Sequence, residues 1–177
     1  EEVKSGVYRV DLGVNVTGWL EADVHGEPGN TVEFKFSERP SQEMTHRLHS
    51  QYIIGPSGKG TFRNRFNYFT GRWITVEGLK YKPAVEDMRT WLVRTDYAPA
   101  ADFECSNELL NKIYDTTLWT FEDLSLGGYV VDCPHRERMG YGGDAHATTE
   151  CGLNNYGLGA FYTKWSQDWR DVQGGSA

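Results

Sequence analysis

The sequence predicts a β-sandwich over residues 1–99, followed over residues 100–177 by an α-helical segment too short to enclose a core alone. Apolar and polar residues alternate along short segments of the first hundred residues, which is typical of antiparallel strands with one buried face. Glycine- and proline-rich turns separate these segments. After Pro99 the apolar residues recur instead at the three- and four-residue spacing of helices.

The strand prediction rests on close spacing as well as on alternation. Turn residues stand at 26–30 and 55–58 and at Gly78, which leaves only short segments between them. Many short strands separated in this way favour a sandwich. Strands are expected at residues 7–12, 19–24, 32–36, 50–54, 60–66, 72–77 and 87–94.

Three helices are expected after Pro99. Ser106 can cap the first helix through its hydroxyl, and Gly127 and Gly128 can end it. A loop of about fifteen residues follows, which is the length at which ordered loops are often functional. A second helix is expected to begin near Asp144. The third helix carries an apolar stripe that we interpret as core, formed by Leu158, Phe161, Tyr162, Trp165, Trp169 and Val172.

Composition narrows the possible partners. The formal net charge is −7 and no basic cluster stands out, so neither nucleic acid nor an anionic membrane surface is expected as a partner. No apolar run approaches the roughly 18 residues of a membrane-spanning helix. Aromatic residues make up 14% of the chain, which suits core packing and also the stacking of flat rings on sugars.

The chain begins at Glu1 with neither an initiator Met nor a leader segment. We therefore expect it to be cut from a longer protein, and both a cytoplasmic and a secreted location stay open. Its three cysteines give an odd count without the spacing of a disulfide framework. The oligomeric state is not indicated by the sequence.

The chemistry-bearing residues concentrate between Asp132 and Asp144. This segment holds three carboxylates, two arginines, one His, one Tyr and three glycines. Glycoside hydrolysis needs one carboxylic acid to protonate the leaving oxygen and a second carboxylate to activate water or attack the sugar. A solvated polar loop has the same composition, so the residue types alone suggest a glycosidase site without specifying it.

The order of residues in this segment is more specific than its composition. The pattern Asp-Cys-Pro-x-Arg-Glu-x-x-Gly-Tyr-x-Gly-Asp resembles the active-site signature of the bacterial α-L-rhamnosidases, glycoside hydrolase family 78. His135 stands where that family commonly has Gln. The resemblance runs in family order through residues 11–19, 66–78, 103–111, 160–165 and 168–173.

The resemblance implies a fold and a set of roles. Members of the family release terminal α-L-rhamnose with inversion, on an (α/α)6 barrel that follows β-sandwich modules. By match to the motif, Glu137 is the general acid, and Asp132 and Asp144 hold the hydroxyls of the rhamnose. Arg136 orients the carboxylates or the sugar, and Tyr141 packs against the sugar. The implied partner is a rhamnose-containing glycoside or oligosaccharide, and neither a cofactor nor a metal is implied.

Three other interpretations stay open. Cys133, His135, His146 and Cys151 could supply soft metal ligands, although their spacing matches no common zinc pattern. A non-catalytic carbohydrate-binding sandwich could use Trp19, Trp73 and Trp91, but it leaves the Asp132–Asp144 segment unexplained. A helical-barrel glycosidase for another sugar would fit the same motif.

The isolated 177-residue chain is predicted to be inactive or nearly so. In the family the general base is a Glu far downstream, and no residue of this chain matches it. Inverting enzymes need both carboxyl groups, about 6.5–9.5 Å apart with water between them. An assay of rhamnose release from an aryl α-L-rhamnoside checks this, and turnover comparable to that of a complete family enzyme would contradict it.

Overall fold

The computed structural model describes residues 1–174, which divide into two compact units. The first unit comprises Glu1–Val93 together with Pro134–Arg136. The second comprises Arg94–Cys133 and the chain from Glu137 onward. No helix among the described residues is both long and apolar enough to cross a membrane.

The first unit is an antiparallel sheet. A short 3-10 turn at Val85–Asp87 precedes its last strand. The described residues form one seven-stranded sheet, in which β1, β2, β6, β3 and β4 are neighbours in that order and β5 and β7 also pair with β2. The strands are β1 Glu2–Lys4, β2 Val7–His25, β3 Thr31–Ser37, β4 His49–Ile53, β5 Lys59–Arg63, β6 Phe69–Glu77 and β7 Met88–Leu92.

Strand β2 makes the sheet fold over its own core. The sequence predicts two strands here, but the structure has one strand of 19 residues with a break in register between Asp11 and Val16. Gly13 lies in that break with a φ of 83°, a conformation that glycine adopts without penalty. Before the break β2 pairs with β6, and near its end it lies between β5 and β7.

Both parts of the folded sheet bury one face on a common core. Phe34 of β3 stacks on Phe62 of β5 with ring centroids 4.9 Å apart, and Phe36 stacks on Phe69 at 4.3 Å. Burying such a side chain contributes about 1.5–3 kcal/mol. The sandwich prediction is confirmed, because alternating residues of β2 and β3 are buried. They are Leu20, Ala22, Val24, Val32, Phe34 and Phe36.

Strand β7 approaches β2 so closely that one position admits only glycine. A Cβ atom added to Gly18 would lie 1.8 Å from the backbone oxygen of Trp91. Overlap of that size with backbone cannot be relieved by a side-chain rotation, so the strands would have to separate. Gly18 therefore sets the distance at which Trp19 and Trp91 become cross-strand neighbours.

The second unit contains three helices and a small hairpin. The helices are α1 Glu108–Leu124, α2 Gly142–Asn155 and α3 Gly159–Val172, and the hairpin strands are β8 Ser125–Leu126 and β9 Tyr129–Val130. The three predicted helices are confirmed. Asn107 rather than Ser106 caps α1, with its Oδ1 accepting from the amides of Leu109 and Leu110. Gly127 and Gly128 form the hairpin turn, with positive φ angles of 64° and 88°.

The helices and the hairpin pack around an aromatic core. The predicted stripe of α3 is buried at Leu158, Phe161 and Trp165. It is wrong in the last turn, where Trp169 is 43% and Val172 is 79% exposed. The first turns of the helix face the hairpin and α1, whereas the last turn has fewer neighbours among the described residues.

Candidate active site

The first part of the Asp132–Asp144 segment is not an open loop, because hydrogen bonds tie Asp132 to Met139. The segment connects β9 to α2, and the residues whose hydrogen bonds close it belong to the second unit. The amide of Asp132 donates to the carbonyl of Met139 at 2.8 Å, and the amide of Arg138 donates to the carbonyl of Cys133 at 3.2 Å. The amide of Met139 in turn donates to Oδ1 of Asp132 at 3.0 Å. Residues 132–139 therefore form a closed turn, which we call the motif loop.

The Asp132 carboxylate accepts hydrogen bonds on both oxygens. Besides the Met139 amide on Oδ1, the Cys133 thiol donates to Oδ2 at 2.7 Å. Desolvation raises the pKa of Asp132, but the hydrogen bonds from the Cys133 thiol and from the backbone amides of Met139, Cys133 and Asp132 together outweigh it, so the pKa lies below its ordinary value. Asp132 is therefore an anion at neutral pH.

Cys133 has a polar role that the sequence interpretation missed. Its sulfur donates to Asp132 and accepts from the amide of Glu137 at 3.3 Å, so it links the two carboxylate-bearing residues. A free cysteine usually packs as a small hydrophobe, whereas the sulfur of Cys133 makes two polar contacts. The one sequence feature that could have indicated this role is that Cys133 directly follows Asp132.

Glu137 is exposed and is held from one side. The hydroxyl of Tyr141 donates to Oε2 of Glu137 at 2.9 Å. This hydrogen bond to the carboxylate raises the pKa of Tyr141, so the phenol stays protonated and remains a donor at neutral pH. Tyr141 was expected to pack against a sugar, and the contact with Glu137 is a role that the sequence did not indicate.

Two backbone features shape the motif loop. Arg138 has a φ of 60°, a left-handed conformation that costs a non-glycine residue about 1 kcal/mol and often marks functional turns. A Cβ on Gly140 would lie 2.7 Å from Cδ2 of Tyr129 and 3.1 Å from Cζ2 of Trp165. Glycine at this position therefore lets the end of the loop lie directly on the aromatic core.

The remaining predicted site residues occupy other positions. Asp144 is partly buried in the first turn of α2, where the helix dipole favours an anion. Arg136 is exposed and, with Pro134 and His135, groups with the first unit. Within that unit Nδ1 of His135 lies 3.1 Å from Oε1 of Glu38, and its ring stacks on His46.

The possible metal ligands that lie close together in the structure differ from the set that the sequence suggested. Among the described residues, Asp132, Cys133 and Glu137 have ligand atoms within 4.8 Å of one another. Cys133, His135, His146 and Cys151 are not gathered into such a group in this part of the chain. The thiol of Cys133 is used as a hydrogen-bond donor, which requires its proton.

Comparisons with known proteins cover both units. The model of the bacterial α-L-rhamnosidase concanavalin-like domain matches residues 1–94, and that of the bacterial α-L-rhamnosidase 6 hairpin glycosidase domain matches residues 98–176. An α-L-rhamnosidase of Formosa agariphila is 32% identical over 179 aligned residues, which cover 93% of this chain and 19% of the relative.

Two solved structures are similar over 99% of the chain. An α-L-rhamnosidase from Dictyoglumus thermophilum superposes with a TM-score of 0.91 at 30% identity, over 21% of its own length. One from Streptomyces avermitilis, complexed with L-rhamnose, superposes with a TM-score of 0.90 at 28% identity, over 18% of its length. The chain thus spans about a fifth of the length of these relatives.

The thiol of Cys133 is predicted to keep the pKa of Asp132 low. In Cys133→Ala one of the bonds that favour the anion is lost, so the pKa of Asp132 rises. A carboxylate whose pKa is lower in the folded than in the unfolded state stabilises the fold at pH values above its unfolded-state pKa. This contribution is lost as the pH falls through the folded-state pKa. The variant should lose it at a higher pH than the wild type does.

Carbon-13 NMR titration of the Asp132 carboxyl group measures this shift. Cys105→Ala is the matched control, since the thiol of Cys105 donates to the carbonyl of Asn107 instead. An unchanged titration in Cys133→Ala would show that the thiol bond does not contribute.

Proposed function

The chain belongs to the bacterial α-L-rhamnosidase family, and on this premise we propose that it is part of a protein that hydrolyses terminal α-L-rhamnosides. The observation that carries the proposal is the exposed carboxyl group of Glu137, held at 2.9 Å by the Tyr141 hydroxyl. It lies in the part of the chain that matches the glycosidase domain. The L-rhamnose in the Streptomyces avermitilis structure supports rhamnose as the sugar.

Glu137 is proposed as the general acid. Protonated, it would give its proton to the glycosidic oxygen as the bond to the anomeric carbon breaks, and it would be left as a carboxylate. Exposure gives the group access to a substrate from solvent, and the Tyr141 bond restricts its orientation. Orientation matters because a misdirected acid loses much of its effect.

Asp132 is proposed to hold sugar hydroxyls rather than to react. Its oxygens accept from the Met139 amide and the Cys133 thiol. Because the residue is only partly buried, the anion can also accept from sugar hydroxyls that approach from solvent. Because both oxygens are already engaged, Asp132 is a poor nucleophile, and its lowered pKa keeps it a good acceptor.

The proposal includes inversion and a base from outside the chain. An oxygen of Asp132 lies within 4.8 Å of one of Glu137. Inverting pairs stand about 6.5–9.5 Å apart to admit the attacking water, so this pair is too close to share the two roles. Asp144 and Tyr141 complete the proposed sugar contacts of the second unit, with Asp144 as a second acceptor and Tyr141 as an apolar wall. The role of Arg136, which groups with the first unit, stays a prediction from the family resemblance.

Replacement of the proposed acid is predicted to abolish turnover without abolishing binding. In the complete enzyme Glu137→Gln keeps the shape of the side chain but cannot donate a proton to a leaving alkoxide. The expected loss in kcat is about 10²–10⁴-fold on substrates with poor leaving groups. Steady-state kinetics together with calorimetric titration of L-rhamnose measure the two effects.

The matched control is Glu86→Gln, which makes the same change at an exposed position in the first unit. It should leave kcat and rhamnose binding unchanged. Full turnover in Glu137→Gln would remove Glu137 as the acid. Loss of turnover in Glu86→Gln as well would point to a general effect of charge.

A further inference from the structure

A second feature of the first unit is unrelated to the motif loop. Where β2 lies between β5 and β7, the even-numbered residues Leu20, Ala22 and Val24 face the core. The alternate residues therefore face outward. Together with their neighbours on β5 and β7 they form what we call the outer face. It consists of Trp19, Glu21, Asp23, Lys59, Thr61, Arg63, Asp87, Arg89 and Trp91.

We propose that the outer face is a carbohydrate-binding site that takes neutral pyranose rings. One end of it carries two aromatic rings. Trp19 and Trp91 are cross-strand neighbours, and Trp91 is 49% exposed. The Arg63 guanidinium lies 5.9 Å from the centroid of each ring, within the range of cation–π attraction. An exposed indole provides the flat apolar surface on which the C–H face of a sugar packs.

Polar groups follow the aromatic pair along the strands. The Glu21 carboxylate lies 3.5 Å from Arg63 and 3.4 Å from Arg89, so one anion holds two guanidinium groups in place. One position further, the Thr61 hydroxyl donates to Asp23 at 2.5 Å. The polar groups beside the rings are thus held in defined orientations, as specific recognition of hydroxyls requires.

A cavity of about 400 Å³ lies at the other end of the outer face. Its volume is within the range of small-ligand sites, about 300–1,000 Å³. Asp23, Lys59, Thr61 and Asp87 line it together with His25. The Lys59 ammonium and the Asp87 carboxylate have no hydrogen-bond or ion-pair partner among the described residues, so a donor and an acceptor are available to sugar hydroxyls.

The charges of the outer face favour a neutral ligand. Three carboxylates, on Glu21, Asp23 and Asp87, are interleaved with three cations, on Lys59, Arg63 and Arg89. A polyanion would meet the carboxylates and a polycation would meet the cations, each at a cost in repulsion. A polyhydroxylated neutral ring can donate to the first group and accept from the second. This inference does not depend on the catalytic role of Glu137.

The test is an NMR titration of the 177-residue chain, in which six tryptophans give six indole N–H signals. The probes are methyl α-L-rhamnopyranoside, cellotetraose, xylotetraose and maltotetraose. At least one is expected to shift the indole signals of Trp19 and Trp91 with a Kd of about 1 mM or tighter. Signals of Trp165 and Trp169 should not follow the same curve.

Trp91→Ala is expected to weaken this binding about tenfold. The matched control is Trp73→Ala. Trp73 also lies beside an arginine, with the Arg72 guanidinium 5.2 Å from its ring centroid, but it is on β6 and does not line the cavity. Lys59→Ala changes an exposed side chain without a partner, so it should fold normally and also weaken binding. It tests the proposal even if Trp91→Ala does not fold.

Three outcomes would overturn the proposal. The first is that no probe shifts the Trp19 or Trp91 signal at tens of millimolar. The second is that Lys59→Ala and Trp91→Ala both bind as the wild type does. The third is that the two indole signals move with protein concentration instead of with sugar. The last result would identify a self-association surface. Binding that persists in Glu137→Gln but weakens in Lys59→Ala would support a site separate from the proposed catalytic one.

Discussion

The hydrogen bonds of the Asp132 carboxylate are the constraint on which the proposed site depends. By accepting from the Met139 amide seven residues later, the carboxylate closes the motif loop from within. By accepting from the Cys133 thiol, it also fixes the sulfur that receives the Glu137 amide. The hydrogen bonds of this one carboxylate thereby fix where the backbone of Glu137 lies.

The rest of the second unit supports this arrangement by packing. Gly140 brings the end of the motif loop against Tyr129 and Trp165, so the loop rests on the aromatic core. The helix α2 begins immediately afterwards, and Tyr141 at its start turns its hydroxyl to Glu137. Arg138 lies in the same loop in a left-handed conformation, which persists only where the surrounding structure holds it. The two carboxylates consequently differ in environment: Asp132 is partly buried and closes the loop, whereas Glu137 is exposed and accepts from the Tyr141 hydroxyl.

Much of this could be predicted from sequence because the signals are local. Alternation identifies the buried faces of β2 and β3, and the glycines flanking residues 129–141 predict a loop before α2, which the structure confirms. The role of Glu137 within that loop follows from the family resemblance and stays a prediction. The continuity of β2 could not be predicted, because a bulge and a turn have the same glycine-containing sequence. The exposure of Trp169 was missed because helical periodicity shows which residues share a face but not how far the neighbouring elements extend.

Hydrogen exchange of the Met139 amide tests the central claim most directly, since this amide is the donor to Asp132. The account predicts that it is protected in the wild-type chain and exchanges at least about tenfold faster in Asp132→Ala, where the acceptor is gone. Asp144→Ala, which removes a carboxylate from α2, should leave its exchange unchanged. Equal protection in the wild type and in Asp132→Ala would contradict the account, because the motif loop would then be closed without the carboxylate.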